Sequence, residues 1–203
     1  MKKRELEILL ERVDDIEQPE VESEQYATPA PVAAELLFFA FSHGDIADRV
    51  VYDLGCGNGI LGIGAKLLGA RAVVGIDRDE KALETARKNS LRLEVELDFM
   101  HCDIQEVEDP GDTVVMNPPF GAQRKNRHAD RAFLEKALVI APVVYSIHNA
   151  GSEAFIRHLL PTATIDRFPV AFPLKRRFAF HQKDRKVIPV DIYRIARPRE
   201  YGI

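Results

Sequence analysis

Val50-Val51-Tyr52-Asp53-Leu54-Gly55-Cys56-Gly57-Asn58-Gly59-Ile60 is the stretch that decides the fold. A short apolar run ends in an acid, opens into three alternating glycines, and passes into apolar residues at helical spacing from about Gly59 to Leu68. Glycines are needed where backbone must take positive φ or come close to another group. A strand that turns through such a loop into a helix begins an open α/β sheet. Outward from it, the pattern predicts a strand at Ala72–Ile76, a helix at Glu80–Asn89, and strands at Val95–Cys102 and Thr113–Met116. A helix at about Arg131–Ile140, a strand at Val143–Ile147 and a helix near Glu153–Leu159 follow. Alternation of this kind implies a parallel sheet covered on both faces.

The last third reads differently. Thr162–Ala171 and Val187–Ala196 are longer strands with no helix between them, which implies an antiparallel hairpin at one sheet edge. Upstream, residues 2–13 carry Leu6, Leu9, Leu10 and Val13 on one helical face, and Thr28-Pro29 signals a second helix before Val32–Phe41. The expectation is one domain over residues 1–203. Residues 1–45 form helices and a lid segment, and 46–203 form a doubly wound, mostly parallel seven-stranded sheet.

Composition narrows the setting. Hydrophobic residues make up 46% of the chain, an ordinary share for a globular domain. No run approaches the roughly 20 apolar residues that cross a bilayer, and the charged N-terminus does not read as a secretory signal. Cys56 and Cys102 are too few for a disulfide framework or a zinc cage, so a reduced, cytoplasmic protein without a bound metal is expected. The net charge of −4 is unevenly placed. Acids crowd the first 24 residues, whereas Lys175, Arg176, Arg177, Lys183, Arg185, Lys186, Arg194, Arg197 and Arg199 make the tail basic. Such asymmetry suggests an anionic partner at one end.

The glycine loop points to a nucleoside ligand, with Asp77 at the end of the second strand placed to meet ribose hydroxyls. Gly57, Gly59 and Gly62 also satisfy the G-x-G-x-x-G of dinucleotide enzymes, so the loop alone does not choose between NAD and S-adenosylmethionine. Asp53 favours S-adenosylmethionine, because an acid at the end of the first strand can anchor the loop and face a cationic amino-acid moiety that NAD lacks. Asp103, ending the third strand, offers an acceptor for an adenine amine, and the Ile104 amide offers a donor to a ring nitrogen.

Asn117-Pro118-Pro119-Phe120 follows a β-branched strand. The double proline forbids continuation and fixes an extended loop. An exocyclic amine on a base is a poor nucleophile because its lone pair is delocalised into the ring. The Asn117 side-chain oxygen and the Pro118 carbonyl can accept both amine protons, so that the nitrogen pyramidalises toward a methyl donor. No strong base is required, and Phe120 would stack on the target ring.

The chain as a whole resembles the archaeal–eukaryotic small-subunit ribosomal RNA adenine-N6 methyltransferases, which have a Rossmann-like class I methyltransferase fold. The resemblance rests on Glu24-Gln25-Tyr26-x-Thr28, Asp53–Gly59, Gly75-x-Asp77, Cys102-Asp103, Asn117–Gly121, Ala132-Phe133-Leu134, Tyr145-Ser146-x-His148, Phe180-His181 and Val190-Asp191. It implies methyl transfer from S-adenosylmethionine to N6 of an adenosine in ribosomal RNA. It also implies that Gln25 and Thr28 reach over the cofactor's methionine end, and that Gly55, Gly57, Asn58, Gly59, Ile60, Asp77, Asp103 and Ile104 line its pocket beside Asn117.

Members of that family work with a small zinc-containing activator at the sheet edge. Leu93, Val95, Leu97 and Phe99 would form an exposed apolar edge strand there, which a second copy of the chain could equally cover. Arg124–His128 and Lys175–Lys186 are placed to hold RNA phosphates, and His148 reads as a structural histidine. Guanine N2, DNA adenine or a protein glutamine would use the same amine-positioning logic. A nicotinamide-dependent oxidoreductase and a non-catalytic RNA-binding protein are the readings from other classes.

Overall fold

The computed structural model describes residues 1–16, 27–119, 129–174 and 186–198. Helices α1 (Lys3–Leu10) and α2 (Ala30–Ser42) precede β1 (Val50–Leu54), α3 (Ile60–Leu67), β2 (Ala72–Asp77) and α4 (Glu80–Arg92). Then come β3 (Asp98–His101), a 3-10 turn at Ile104–Glu106, β4 (Thr113–Met116), α5 (Ala129–Ile140), β5 (Val143–Asn149), α6 (Glu153–Leu159), β6 (Thr164–Leu174) and β7 (Lys186–Ala196). The seven strands form one sheet in the order β3-β2-β1-β4-β5-β7-β6. The first five run parallel, and β7 runs antiparallel to both β5 and β6. This is the Rossmann-like class I methyltransferase architecture, with the C-terminal hairpin where the sequence placed it.

Apolar side chains fill both faces of the sheet. One core joins Leu6 and Leu10 of α1, Leu36 and Leu37 of α2 and Ile63 of α3 to Val51, Val73 and Tyr145. The other joins Leu134 and Ala137 of α5 and Ile156 of α6 to Leu54, Ile76, Met116 and Tyr193. Helices α2 and α3 pack closely because Gly64 leaves no side chain where Leu37 lies. The basic edge hairpin includes Pro169 and Pro173 on β6, a strand at the sheet margin where a missing N–H is tolerated.

The third strand departs from expectation. It begins at Asp98 rather than Val95, because the chain leaves α4 through a turn in which Glu94 takes φ +55° and the Val95 amide donates to the Ser90 carbonyl. Leu93 is buried, and Val95 and Leu97 pack against the core instead of lining an exposed edge. Phe99 is half-buried beneath the Arg87 guanidinium, 6.0 Å from its ring centre, and Met100 is 41% exposed. β3 is nevertheless an edge strand, paired with β2 alone among the described residues.

The parallel order reverses direction between β1 and β4, and register places Leu54 beside both Ile76 and Met116. The glycine loop, Asp77 and Asn117 therefore leave the sheet at one level, at the carboxyl ends of adjacent strands. That is where open α/β sheets bind their ligands.

Candidate active site

Gly55, Gly57 and Gly59 take φ of +67°, +54° and +81°, a region that side chains with a Cβ rarely adopt. A Cβ at Gly59 would lie 3.0 Å from the Ala86 Cβ, so the loop also needs glycine there for packing against α4. At Gly57 no atom of the described residues lies within 4 Å of that position, and among them the loop is open on this side. At Gly55 the nearest atom would be Phe133 Cε1 at 3.1 Å, which sets the α5 ring beside the loop.

Two buried acids hold the loop. Asp53, 1% exposed, accepts a hydrogen bond from the Gly62 amide at 2.7 Å. A Cβ on Gly62 would sit 3.2 Å from the same carboxylate oxygen. The third glycine of the dinucleotide-like spacing is thus accounted for by the approach of Asp53 to α3. Asp77 accepts from the Gly57 amide at 2.8 Å and, through its other oxygen, from Asp79 at 3.0 Å. Each Asp77 oxygen keeps a second lone pair for an incoming hydroxyl. Burial pushes Asp53 up to about 7 against the opposing pull of the Gly62 hydrogen bond, with the Asp77 charge adding to the rise. Burial likewise raises Asp77. It holds the Cys56 thiol well above its ordinary range, so this cysteine is inert.

Asn58 faces away from the open side of the loop. Its Nδ2 donates to the Asp14 carbonyl at 3.1 Å, and its Oδ1 accepts from the Ile60 amide at 3.4 Å. Ile60 itself is buried at the start of α3. Asn89 of α4 completes this knot. It accepts from the Asp14 amide at 3.0 Å and donates to the Asp14 and Asn58 carbonyls at 3.1 and 3.0 Å. Arg92 pairs with the Asp14 carboxylate at 2.5 Å. The sequence reading missed both Asn89 and Asp14. Nothing in the helical run E-T-A-R-K-N-S-L-R marks its one asparagine as buried.

Asn117 lies just past β4, before a buried Pro118 and a half-buried Pro119. Its Nδ2 donates to the Thr28 hydroxyl at 3.0 Å. Its Oδ1 is buried and has no hydrogen-bond partner, alone in this among the side-chain oxygens and nitrogens of the described residues. An unmet acceptor inside a protein is costly unless a ligand completes it.

The remaining expected residues fall in three groups. Asp103 is exposed and caps the 3-10 turn, accepting from the Gln105 amide at 2.9 Å, with Ile104 buried behind it. His148 is buried against Ser146, Nε2 to Oγ 2.7 Å, and burial lowers its pKa to about 4, so it is a neutral structural group. Tyr145 is also structural, donating to Asp45 at 2.7 Å and accepting from Arg194 at 2.9 Å. Gln25, Phe120, Arg124–His128 and the segment 175–185 with Phe178, Phe180 and His181 lie outside the described residues. No group of three or more metal-ligating side chains occurs among the described residues, and none of their helices is long and apolar enough to cross a membrane.

Residues 30–140 match the methyltransferase small domain. The chain belongs to that family. This methyltransferase is 37% identical to the rRNA N(6)-adenosine-methyltransferase of Drosophila melanogaster, with 96% of each chain covered. It is 36% identical to the Danio rerio protein of the same description, over 96% of this chain and 98% of that one. The crystal structure of a Pyrococcus horikoshii protein described as a candidate RNA methyltransferase superposes with a TM-score of 0.88 at 40% identity, covering 97% of this chain and 98% of the other. The methyltransferase thus carries the S-adenosylmethionine-binding fold, and its open Gly57, its doubly held Asp77 and the unmet Asn117 Oδ1 suit that cofactor and an amine acceptor.

Proposed function

We propose that this S-adenosylmethionine-dependent methyltransferase acts on RNA and methylates the exocyclic N6 of an adenosine in ribosomal RNA. The observation that carries the chemistry is the buried, partnerless Oδ1 of Asn117 at the carboxyl end of β4. The choice of RNA and of adenosine draws support from the relatives named above, which are similar to this chain over nearly its whole length.

When bound, S-adenosylmethionine supplies an electrophilic methyl on a sulfonium. The residues of the chain do the rest. Gly57 leaves the loop open to the ligand, and Asp77 retains lone pairs for its ribose hydroxyls. Asn117 Oδ1 accepts one N–H of the target amine, and the Pro118 carbonyl accepts the other. The paired prolines keep these acceptors from swinging. The amine would thereby be pyramidalised, with its lone pair directed at the methyl that S-adenosylmethionine would supply, the S–C electron pair remaining with sulfur. The nitrogen then sheds one proton to water, so the neutral, buried His148 is not needed as a base. Holding both protons stabilises the reacting geometry over the planar ground state.

Incubation of the enzyme with S-adenosylmethionine and ribosomal RNA, followed by nucleoside mass spectrometry, tests this reading. N6-methyladenosine is the expected product. Methyl found only on guanosine or on protein would overturn the substrate. Asn117→Ala should lower turnover at least ~100-fold, the scale of losing a preorganised transition-state contact, with cofactor affinity by calorimetry changed by no more than a few fold. Undiminished turnover in that variant removes the proposed mechanism.

A further inference from the structure

We infer that His101 is a positioning residue for Asp77, holding the peptide unit that aims its carboxylate at the cofactor's ribose. The inference rests on the cofactor reading given above, in which Asp77 meets the ribose hydroxyls. One Asp77 oxygen accepts from the Gly57 amide at 2.8 Å, and the other from the Asp79 amide at 3.0 Å. The Asp79 N–H shares one planar trans peptide with the Arg78 carbonyl, and the two groups point in opposite directions. That carbonyl lies 3.0 Å from His101 Nε2. A carbonyl can only accept, so the imidazole donates here. The peptide between Arg78 and Asp79 is thus held at both ends, by the imidazole on one side and by the Asp77 carboxylate on the other. Without the imidazole it is free to turn about its flanking bonds, and the Asp79 N–H swings away from Asp77.

The ring is braced for that task. Asp77 and His101 are register partners on β2 and β3, and the Cys102 amide donates to the Asp77 carbonyl at 3.3 Å. His101 Nδ1 stands 3.2 Å from the Glu80 carboxylate, whose other oxygen accepts from Arg87 at 2.7 Å. Arg87 in turn covers the Phe99 ring on β3. The far side of the turn is fixed by Asp79, which caps α4 by accepting from the Lys81 amide at 2.9 Å. The His101 side chain is 52% exposed, so replacing it leaves the core intact. No local pattern around Asp77 names this residue, because it arrives from the next strand, 23 positions beyond Arg78.

Calorimetry with S-adenosylhomocysteine and its 2′,3′-dideoxy counterpart tests the role, because the two ligands differ only in the hydroxyls that Asp77 would accept. Wild type should bind the hydroxylated ligand on the order of 100-fold more tightly, the scale of two hydrogen bonds to a carboxylate. His101→Ala should raise Kd for that ligand by ~3- to 10-fold, the worth of one hydrogen bond. Kd for the dideoxy ligand should stay within about twofold, so that discrimination between the two shrinks. His101→Leu keeps more bulk without a donor and gives the same reading if His101→Ala folds poorly. His101→Gln, whose amide reaches the Arg78 carbonyl, should restore most of the discrimination. Undiminished discrimination in both His101→Ala and His101→Leu overturns the inference, as does an equal loss of affinity for both ligands, the signature of a generally loosened site. Equal binding of the two ligands by wild type would overturn the ribose role of Asp77 and the inference with it. Binding of neither would overturn the cofactor reading as well.

Discussion

Replacing Asn89 by alanine should unfold the protein at lower temperature and weaken cofactor binding together. Asn89 is 1% exposed and makes three hydrogen bonds, two to the Asp14 backbone and one to the Asn58 carbonyl. Removing it strands the Asp14 amide and the Asn58 carbonyl; the Asp14 carbonyl keeps its bond from Asn58 Nδ2. Each net hydrogen bond contributes about 1 kcal/mol, and alanine returns a few tenths as a better helix former, which leaves a loss of about 2–3 kcal/mol. For a domain of this size that lowers Tm by ~5–10 °C. The knot fastens the N-terminal segment to the cofactor loop, so cofactor Kd should rise in parallel. Asn89→Asp tests the geometry further. It keeps the acceptor for the Asp14 amide but loses both donors and sets a carboxylate against two carbonyls, so it should fall below the alanine variant in stability. Calorimetric unfolding and titration with S-adenosylmethionine provide both numbers. A Tm within 1 °C of wild type with unchanged affinity would refute the reasoning.

Two titrations give opposite slopes. Asp53 sits at about 7 when folded against about 4 unfolded, so its proton-linked contribution is complete below pH 4 and is lost as pH rises to 7. Asp53→Asn, which imitates the protonated acid, should gain on wild type by on the order of 4 kcal/mol between pH 4 and pH 8; denaturant unfolding across that range would show parallel curves if burial does not raise this acid. His148 is held near 4 against about 6.5 unfolded, so its contribution is present above pH 6.5 and lost as pH falls to 4. His148→Gln should flatten that acid limb by about 3 kcal/mol and leave the pH–rate profile above 7 unchanged. A shifted profile would give the imidazole a chemical role.

The element pattern was legible because it is local. Strand propensity, glycines requiring positive φ and the double proline act within a few residues, so β1, α3, β4 and the final hairpin were placed closely by sequence. β3 was set too early because the alternation of Leu93, Val95 and Leu97 looks the same whether the side chains line a strand or wrap under a helix end. Asp103 was likewise ambiguous, since an acid at a strand end serves a cap or a ligand equally, and in the structure it caps.

By itself, then, the sequence determined which chemistry is available: a glycine loop with strand-end acids for a nucleoside cofactor, and an asparagine beside two prolines for an amine. Only the tertiary structure decided how those groups are aimed. It turned Asn58 inward to Asp14, assigned Gly62 to Asp53, and brought the Asn117 amide against the Thr28 hydroxyl. Those choices depend on contacts 44 to 89 residues apart, apart from the Asp53–Gly62 bond, which spans nine. Side-chain direction is set by packing across the sheet, and no local preference in the chain encodes it.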